Sequence, residues 1–353
     1  MAQMKKLAAL FILLITALSS GCTNKPNRYQ AEFISLFDTV TVIVGYSESR
    51  EDFTLLAEKI KNKLEEYHML YDIYNEYEGI NNIKTINDNA GTAPVQVDGK
   101  IIDLLEFALE QYEATGGAVN VAMGSVLSIW HDYRTRGINS PANAHLPPPE
   151  LLREAARHTD IYDIKIDKEL STVYLNDPDM RLDVGAVAKG YAVEQTALWL
   201  ERQGVTNLLL SVGGNVRAIG GKLDGEYPNM PWVISIRNPD KSAPDSDLMS
   251  VLIADGSLVS SGGYERYYTV DGARYHHIIN PDTLMPSDYY EAVSVICPGS
   301  GMADALSTAI FNMPPKKSMN YIESIPNTEA IFIFKDGSIE YTSGFESLIY
   351  SNQ

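Results

Sequence analysis

Hydrophobic and polar positions alternate along Phe33–Tyr46, which is rich in Val, Ile and Thr, and the pattern predicts a strand. Leu55, Leu56, Ile60, Leu64 and Tyr67 then recur at helical spacing and predict an amphipathic helix over about 52–69. Tyr71–Asn89 is dense in Asn, Tyr and Asp and reads as a loop with a short helical piece. Ile101, Leu104, Leu105, Ala108 and Tyr112 share one face of a second helix near 99–114, which Gly116-Gly117 would stop. The prolines at 141 and 147–149 mark an excursion over 134–160 that ends in a short helix.

Further on, alternation over 161–176 predicts a strand pair, and a helix near 187–203 should end at Gly204. Strands are expected at 206–212, 231–237, 250–254 and Val293–Cys297, followed by a helix near 302–313. Ala330–Phe334 and Ile339–Tyr341 flank Asp336-Gly337, a hairpin signal. Strands and helices mix without regular βαβ alternation, so the expected class is α+β. No internal repeat or low-complexity tract is visible.

The first residues follow a different logic. Lys5 and Lys6 precede the apolar stretch Leu7–Leu18, whose 12 residues are too few for a stable bilayer span. Ser19-Ser20-Gly21-Cys22 follows and resembles the lipobox of bacterial lipoproteins, in which the cysteine is lipidated and becomes the mature N-terminus. The expected organisation is therefore a lipoprotein signal over 1–22, a polar tether over 23–30 and one domain over 31–350. An ordinary cleaved signal or an uncleaved anchor would show the same apolar stretch. The expected location is the extracytoplasmic face of the cell membrane.

Composition narrows the class of function. Of 353 residues, 28 are Lys or Arg and 46 are Asp or Glu, a formal net charge of -18, which opposes nucleic-acid binding. The 2 cysteines, Cys22 and Cys297, supply no disulfide framework, and Cys297 lies in an apolar run where it serves as a small buried hydrophobe.

Several segments carry candidate chemistry. There is no P-loop and no Rossmann fingerprint, and the Gly213-Gly214 pair after an apolar strand is open to a plain turn. No G-x-S-x-G elbow or zinc-type His spacing occurs. Leu182–Tyr191 places small residues between Asp183 and Lys189 at a helix start, where free N–H groups and a mobile cation suit phosphate. A packed helix start with a surface lysine gives the same pattern. Asp304, Ser307 and Thr308 share one helix face, and a carboxylate with hydroxyls suits a hard cation such as Mg2+. A helix-start Asp with back-bonding hydroxyls is the plainer reading. His276 and His277 should point to opposite sides of an extended chain, one buried and one exposed.

The order of these segments resembles the ApbE family, the FAD:protein FMN transferases, over roughly 33–345. The carriers are Tyr71–Asn87 and Ala118–Trp130, then Leu182–Tyr191 for the family's LDxGxxAKGY and Leu210–Asn215 for a strand followed by GGN. Ser261–Pro281 matches SGxYER and HHIINP, and Asp304–Thr308 matches DALST. Phe37-Asp38-Thr39 stands where the family often has Met-Gly-Thr, and Val119-Asn120 where it often has Phe-Asp.

The resemblance implies a T-fold-like α+β body with mixed or antiparallel sheets and packed helices. It implies transfer of the FMN half of FAD to an acceptor Thr hydroxyl, with AMP leaving. FAD is then a substrate and Mg2+ the cofactor. The implied flavin contacts are Phe37, Tyr74, Ala118, Val119, Asn120, Asp183, Lys189, His277 and Ile278. Mg2+ would be held by Asp304, Ser307, Thr308 and the carbonyl of Ala186. Asp304 and His277 are the implied catalytic residues, His277 as a base for the acceptor or as a cofactor-orienting group. The implied partners are exported redox subunits of Rnf or NADH:quinone reductase type, reached from a lipid anchor at Cys22. An FAD pyrophosphatase, a non-catalytic FAD carrier and a solute-binding lipoprotein are the competing readings.

Overall fold

A computed structural model describes residues 26–34 and 36–351. The signal segment and Cys22 lie outside the described residues. Eight strands form one sheet: β1 (Asn27–Ile34), β2 (Val40–Ser47), β3 (Leu208–Val212), β4 (Asn215–Ile219), β5 (Gly256–Gly262), β6 (Ala292–Cys297), β7 (Glu329–Ile333) and β8 (Ile339–Tyr341). Their spatial order is their chain order, and every neighbouring pair is antiparallel. The sheet is thus a continuous meander, and everything else is inserted between consecutive strands.

Six helices enter between β2 and β3: α1 (Arg50–Tyr71), α2 (Ile83–Asp88), α3 (Gly99–Thr115), α4 (Gly124–Asn139), α5 (Pro149–Ala155) and α6 (Ala188–Arg202). A small sheet of Val95–Gln96, Thr172–Leu175 and Ile164–Asp167 lies within the same insertion. The hairpin Trp232–Arg237/Asp247–Ile253 enters between β4 and β5, and Tyr267–Val270/Ala273–His276 between β5 and β6. Finally α7 (Ser300–Phe311) and α8 (Pro315–Glu323) separate β6 from β7.

Strand alternation decides which layer each residue joins. Ile43, Leu208, Leu210 and Val212 face α1 and α6, where Phe53, Ile60, Leu64, Val193 and Leu200 close one core. Val44, Val216, Leu258 and Ile296 face the other way, against Trp232, Ile234 and Val251 of the first inserted hairpin. Val293, Val295 and Cys297 turn back towards Leu306 and Ile310 of α7. The molecule is therefore helix layer, sheet, hairpin layer, an α+β arrangement as expected. Cys297 is buried and free, in the role its apolar surroundings predict.

Several expectations are corrected. The stretch 33–46 is two strands, because Phe37 (φ 53) and Asp38 (φ 53) turn left-handed between them. The tether expected over 23–30 is already strand from Asn27, paired with Ser47. In α1 the buried line is Phe53, Ala57, Ile60, Leu64 and Tyr67, whereas Leu55 faces outward. Helix α4 continues to Asn139, so the excursion begins only at Ser140. Strands β4 and β5 were not foreseen. The first follows directly on a glycine pair, and the second is Gly256–Gly262, made of small residues that leave no clear alternation. Among the described residues no helix is long and apolar enough to cross a membrane.

After α1 the chain is held by one carboxylate. Asp72 accepts from the Tyr74 amide at 2.7 Å, the Asn75 amide at 3.1 Å, Asn75 Nδ2 at 2.9 Å and the Tyr77 hydroxyl at 2.8 Å. Burial alone would raise its pKa, but these donors together hold it below the usual value. The folded pKa is thus under the unfolded one, so the carboxylate adds stability above about pH 4 and loses it as pH falls through the folded value. We predict that Asp72→Ala costs about 1–3 kcal/mol. Thermal melts at pH 7 and at low pH check this: the gap between variant and wild type should narrow on acidification.

Candidate active site

The first turn of α6 and the first half of α7 meet so closely that only glycine fits. A Cβ on Gly190 would lie 2.3 Å from Asp304 Cβ and 2.4 Å from the Ser300 carbonyl. Gly190 is the third residue of α6, so its amide has no acceptor within the helix, and Val187 at the N-cap supplies no side-chain bond. Asp304 Oδ2 fills that role from α7, accepting the Gly190 amide at 2.7 Å. Burial raises the Asp304 pKa, opposed by the charge of Lys189, the Gly190 amide and the approach of Asn215.

Lys189 lies between this carboxylate and the β3–β4 turn, donating to the Gly213 carbonyl at 3.0 Å. Burial lowers its pKa, and the Asp304 charge resists that. Gly213 (φ 53) and Gly214 (φ 90) form a two-residue hairpin turn, so the turn reading of this pair is correct. The turn also packs against the β1–β2 connection: a Cβ on Gly213 would meet Thr39 Oγ1 at 2.4 Å.

The residues expected to hold a metal all offer oxygens. Thr308 lies one helical turn on from Asp304 and is half-buried, and Ala186 is half-buried just before α6. Among the described residues the buried amide Nδ2 of Asn215 has no hydrogen-bond partner. One carboxylate, a hydroxyl and a carbonyl fit a hard cation that keeps its remaining positions for phosphate and water. Ser307 is differently placed: its hydroxyl is fully buried, shared with Ser261 Oγ at 2.8 Å and bonded to the Asp304 carbonyl at 3.0 Å.

The two histidines correct the expectation that one is exposed, since both are half-buried. His276 Nδ1 accepts from the Ile278 amide at 3.2 Å and its Nε2 donates to the Ser287 carbonyl at 2.8 Å, so it is a neutral structural group. His277 Nδ1 is buried and, among the described residues, has no hydrogen-bond partner. Burial first, then the charges of Arg266, His276 and Arg134, push its pKa down to about 3. It is neutral at neutral pH and has a free lone pair. Ile278 is buried beside it.

On the far side, Asp183 donates its amide to Val121 O at 2.8 Å, and its carboxylate accepts the Gly185 amide at 2.9 Å. Burial raises its pKa, opposed by Gly185 and by the charge of Arg134. Tyr74 is more than half exposed and lies against His131, ring centroids 5.5 Å apart. Phe37 sits at the strand break, its amide donating to His68 Nδ1 at 3.3 Å and its ring edge-on to His68.

Three expected flavin contacts are engaged in structure. Val119 is buried in the core, Asn120 bonds Thr159 O and the Ala122 amide, and Ala118 O accepts from Asn312. Sequence reasoning missed His131 and Arg134. Val126, Trp130 and Gly137 at helical spacing carry the signal that α4 continues past the tryptophan.

The inserted helices α6 and α7 bring Lys189 and the buried Asp304 together in an α+β body, and the neutral His277 follows the strand Ala273–His276 of a neighbouring insertion. A family model described as the ApbE family matches residues 37–332, and the chain belongs to that family. A FAD:protein FMN transferase of Treponema pallidum is 35% identical over 272 residues, 74% of this chain and 73% of that protein. A Thermotoga maritima ApbE protein of known structure superposes with a TM-score of 0.78 at 28% identity, covering 92% of this chain and 100% of that one. The flavin transferase ApbE of Vibrio cholerae shares the fold, with a TM-score of 0.74 at 24% identity over 91% of this chain and 99% of that one.

Gly190→Ala tests the helix contact. The added methyl must push α6 away from α7, and overpacking of this kind costs about 1–3 kcal/mol. We expect a lowered melting temperature together with weakened ligand binding, whereas Gly99→Ala, with open space around it and ordinary backbone angles, should leave binding intact. Melting curves and flavin titrations of both variants check this.

Proposed function

We propose that this chain is an FAD:protein FMN transferase that moves the FMN moiety of FAD onto a Thr hydroxyl of an acceptor protein and releases AMP. The observation that carries the reading is the buried Asp304 beside Lys189 at the start of α6 in a chain of this family, with Arg266 acting on both Lys189 and His277. In the reaction the acceptor Oγ attacks the FMN phosphorus. The bond from that phosphorus to the bridging oxygen breaks, and AMP leaves with the bond's electron pair. The Thr proton passes to the neutral imidazole of His277. Lys189 offsets charge on the pyrophosphate, and Tyr74 offers an exposed ring for stacking on flavin or adenine. Asp304, Thr308 and the Ala186 carbonyl would hold Mg2+, with Ser307 supporting Asp304 from behind. Bound there, the ion would neutralise charge on the pyrophosphate.

The acceptors we propose are exported redox subunits, of Rnf or NADH:quinone reductase type, reached by a protein anchored through a lipid on Cys22. A flavin joined by a phosphoester cannot diffuse away outside the cytoplasmic membrane, which is the chemical reason for such a reaction there.

Incubation with FAD, Mg2+ and an acceptor, followed by intact-mass measurement, tests the reaction. The acceptor should gain the mass of FMN with AMP in equal amount, and replacing its Thr should abolish the gain. Asp304→Ala, or excess chelator, should lower the rate by orders of magnitude while flavin binding is less affected. Rapid AMP release without labelled acceptor would establish a pyrophosphatase instead, and tight FAD binding with neither product a carrier.

Location has its own test. Cys22→Ser should abolish acyl labelling and release the protein from the membrane fraction. Retention of the variant, with no acyl label on wild type, would establish an uncleaved anchor.

A further inference from the structure

Two guanidinium groups lie where the β2–β3 and β5–β6 insertions pack together. Arg134 of α4 is half-buried, and Arg266, in the connection after β5, is exposed. Trp130, one helical turn before Arg134, packs with Tyr268, two residues after Arg266. Burial and the charge of Arg266 lower the Arg134 pKa, opposed by Tyr74 and by the charge of Asp183. Both also act on His277 and on Tyr74, and Arg266 acts on Lys189 as well. Among the described residues neither guanidinium has a carboxylate within 4.0 Å, whereas Arg217 has three, Glu194, Glu201 and Asp255, at 3.0–3.5 Å. In a chain with 46 acidic residues against 28 basic ones, carboxylates are in ample supply.

Arg134 is nevertheless held in place. Its Nη2 donates to His131 Nδ1 at 3.1 Å, one helical turn away. Arginine has no acceptor, so His131 Nδ1 must offer its lone pair, with its ring proton on Nε2. Tyr74 packs on the other side of that imidazole. Arginine has five N–H donors, and the bond to His131 uses one of them. A partly buried cation that is oriented, has no carboxylate within ion-pair distance among the described residues and lies near a second cation is suited to take an anion.

We propose that Arg134 and Arg266 together bind a phosphate group of the flavin nucleotide, with His131 as the positioning residue for Arg134. The inference rests on the flavin-nucleotide reading of the site and adds two ligand contacts and their support. The planar fork of a guanidinium matches phosphate oxygens in pairs, which a lysine in the same place would not. Together with Lys189 the pair makes a positive funnel on a molecule of net charge -18, drawing an anionic substrate to one place.

Binding measurements with three flavins separate phosphate from ring contacts. FAD, FMN and riboflavin are titrated into wild type, Arg134→Gln, Arg134→Lys, Arg266→Gln and His131→Ala in metal-free buffer, with melting temperatures recorded for each. Loss of a charged hydrogen bond predicts a roughly 10- to 100-fold weaker affinity of Arg134→Gln for FAD and FMN, with riboflavin unchanged. Arg134→Lys should recover part of the loss, and His131→Ala should show a smaller loss for the same two ligands. If Arg134→Gln misfolds, Arg266→Gln and Arg134→Lys carry the same comparison. An equal loss for riboflavin, or no loss for FAD, would overturn the proposal. Wild type that transfers FMN while Arg134→Gln binds FAD normally sinks this inference alone. Wild type that binds no flavin sinks the functional reading with it.

Discussion

A single hydrogen bond between two helices organises the site. The third residue of any α-helix has an amide with nothing to bond to inside the helix, and here that amide belongs to Gly190. A buried carboxylate is costly unless donors surround it. Asp304 and Gly190 solve both problems at once, and the positive end of α6 favours the negative charge placed against it. The contact requires that no side chain intervene, so glycine is fixed by packing and not by backbone conformation. Glu194, one turn further along α6, ties the same pair of helices by accepting the Ser300 amide at 2.6 Å, and pairs with Arg217 of β4 at 3.4 Å. Helix to helix to sheet, the fixed part of the site is therefore one connected piece.

The meander explains how residues far apart in the chain reach that piece. Consecutive strands are neighbours, so each insertion begins and ends at adjacent positions of the sheet. Asp183 and Lys189 arrive at the end of the long β2–β3 insertion, His277 in the β5–β6 insertion and Asp304 in the β6–β7 insertion. The β2–β3 and β6–β7 insertions leave one end of the sheet and the β5–β6 insertion leaves the other; α6 sets Lys189 against the Gly213 turn, at the end from which the β5–β6 insertion leaves. The insertions' own small cores let them pack as units: Trp130 of α4, for example, lies among Tyr268, Val270 and Ile279 and donates to Leu284 O at 2.9 Å. That packing brings Arg134 towards Arg266.

Charge in the cleft is unlike charge on the surface. Exposed pairs such as Arg153–Glu150 contribute little, because water screens them. Lys189, Arg134 and Asp304 sit where burial opposes ionisation, and each pKa is shifted accordingly. Such an arrangement is stable in the protein only at some cost, which a bound anion and cation would offset.

Helices with a long apolar stripe were legible in the sequence alone: α1, α3 and α6 begin and end within about two residues of the expected bounds, since periodicity and the glycine stops are local signals. The motif Leu182–Tyr191 and the Asp304–Thr308 segment were legible as candidate chemistry, because residue type and spacing place a lysine at a helix start and a carboxylate with hydroxyls on one helix face; α7 begins at Ser300, so Asp304 lies in its second turn and not at the expected start. Tertiary structure alone decided the rest. It put the Asp304 carboxylate on the Gly190 amide, turned Ser307 towards Ser261, and spent Asn120 on Thr159 and Ala122. It also made His276 structural and left His277 with a free lone pair, although the two are adjacent and identical in sequence. The physical reason is that a hydrogen-bond partner, a buried environment and an unpaired charge are properties of neighbours in space, and for these residues the neighbours come from other insertions of the sheet.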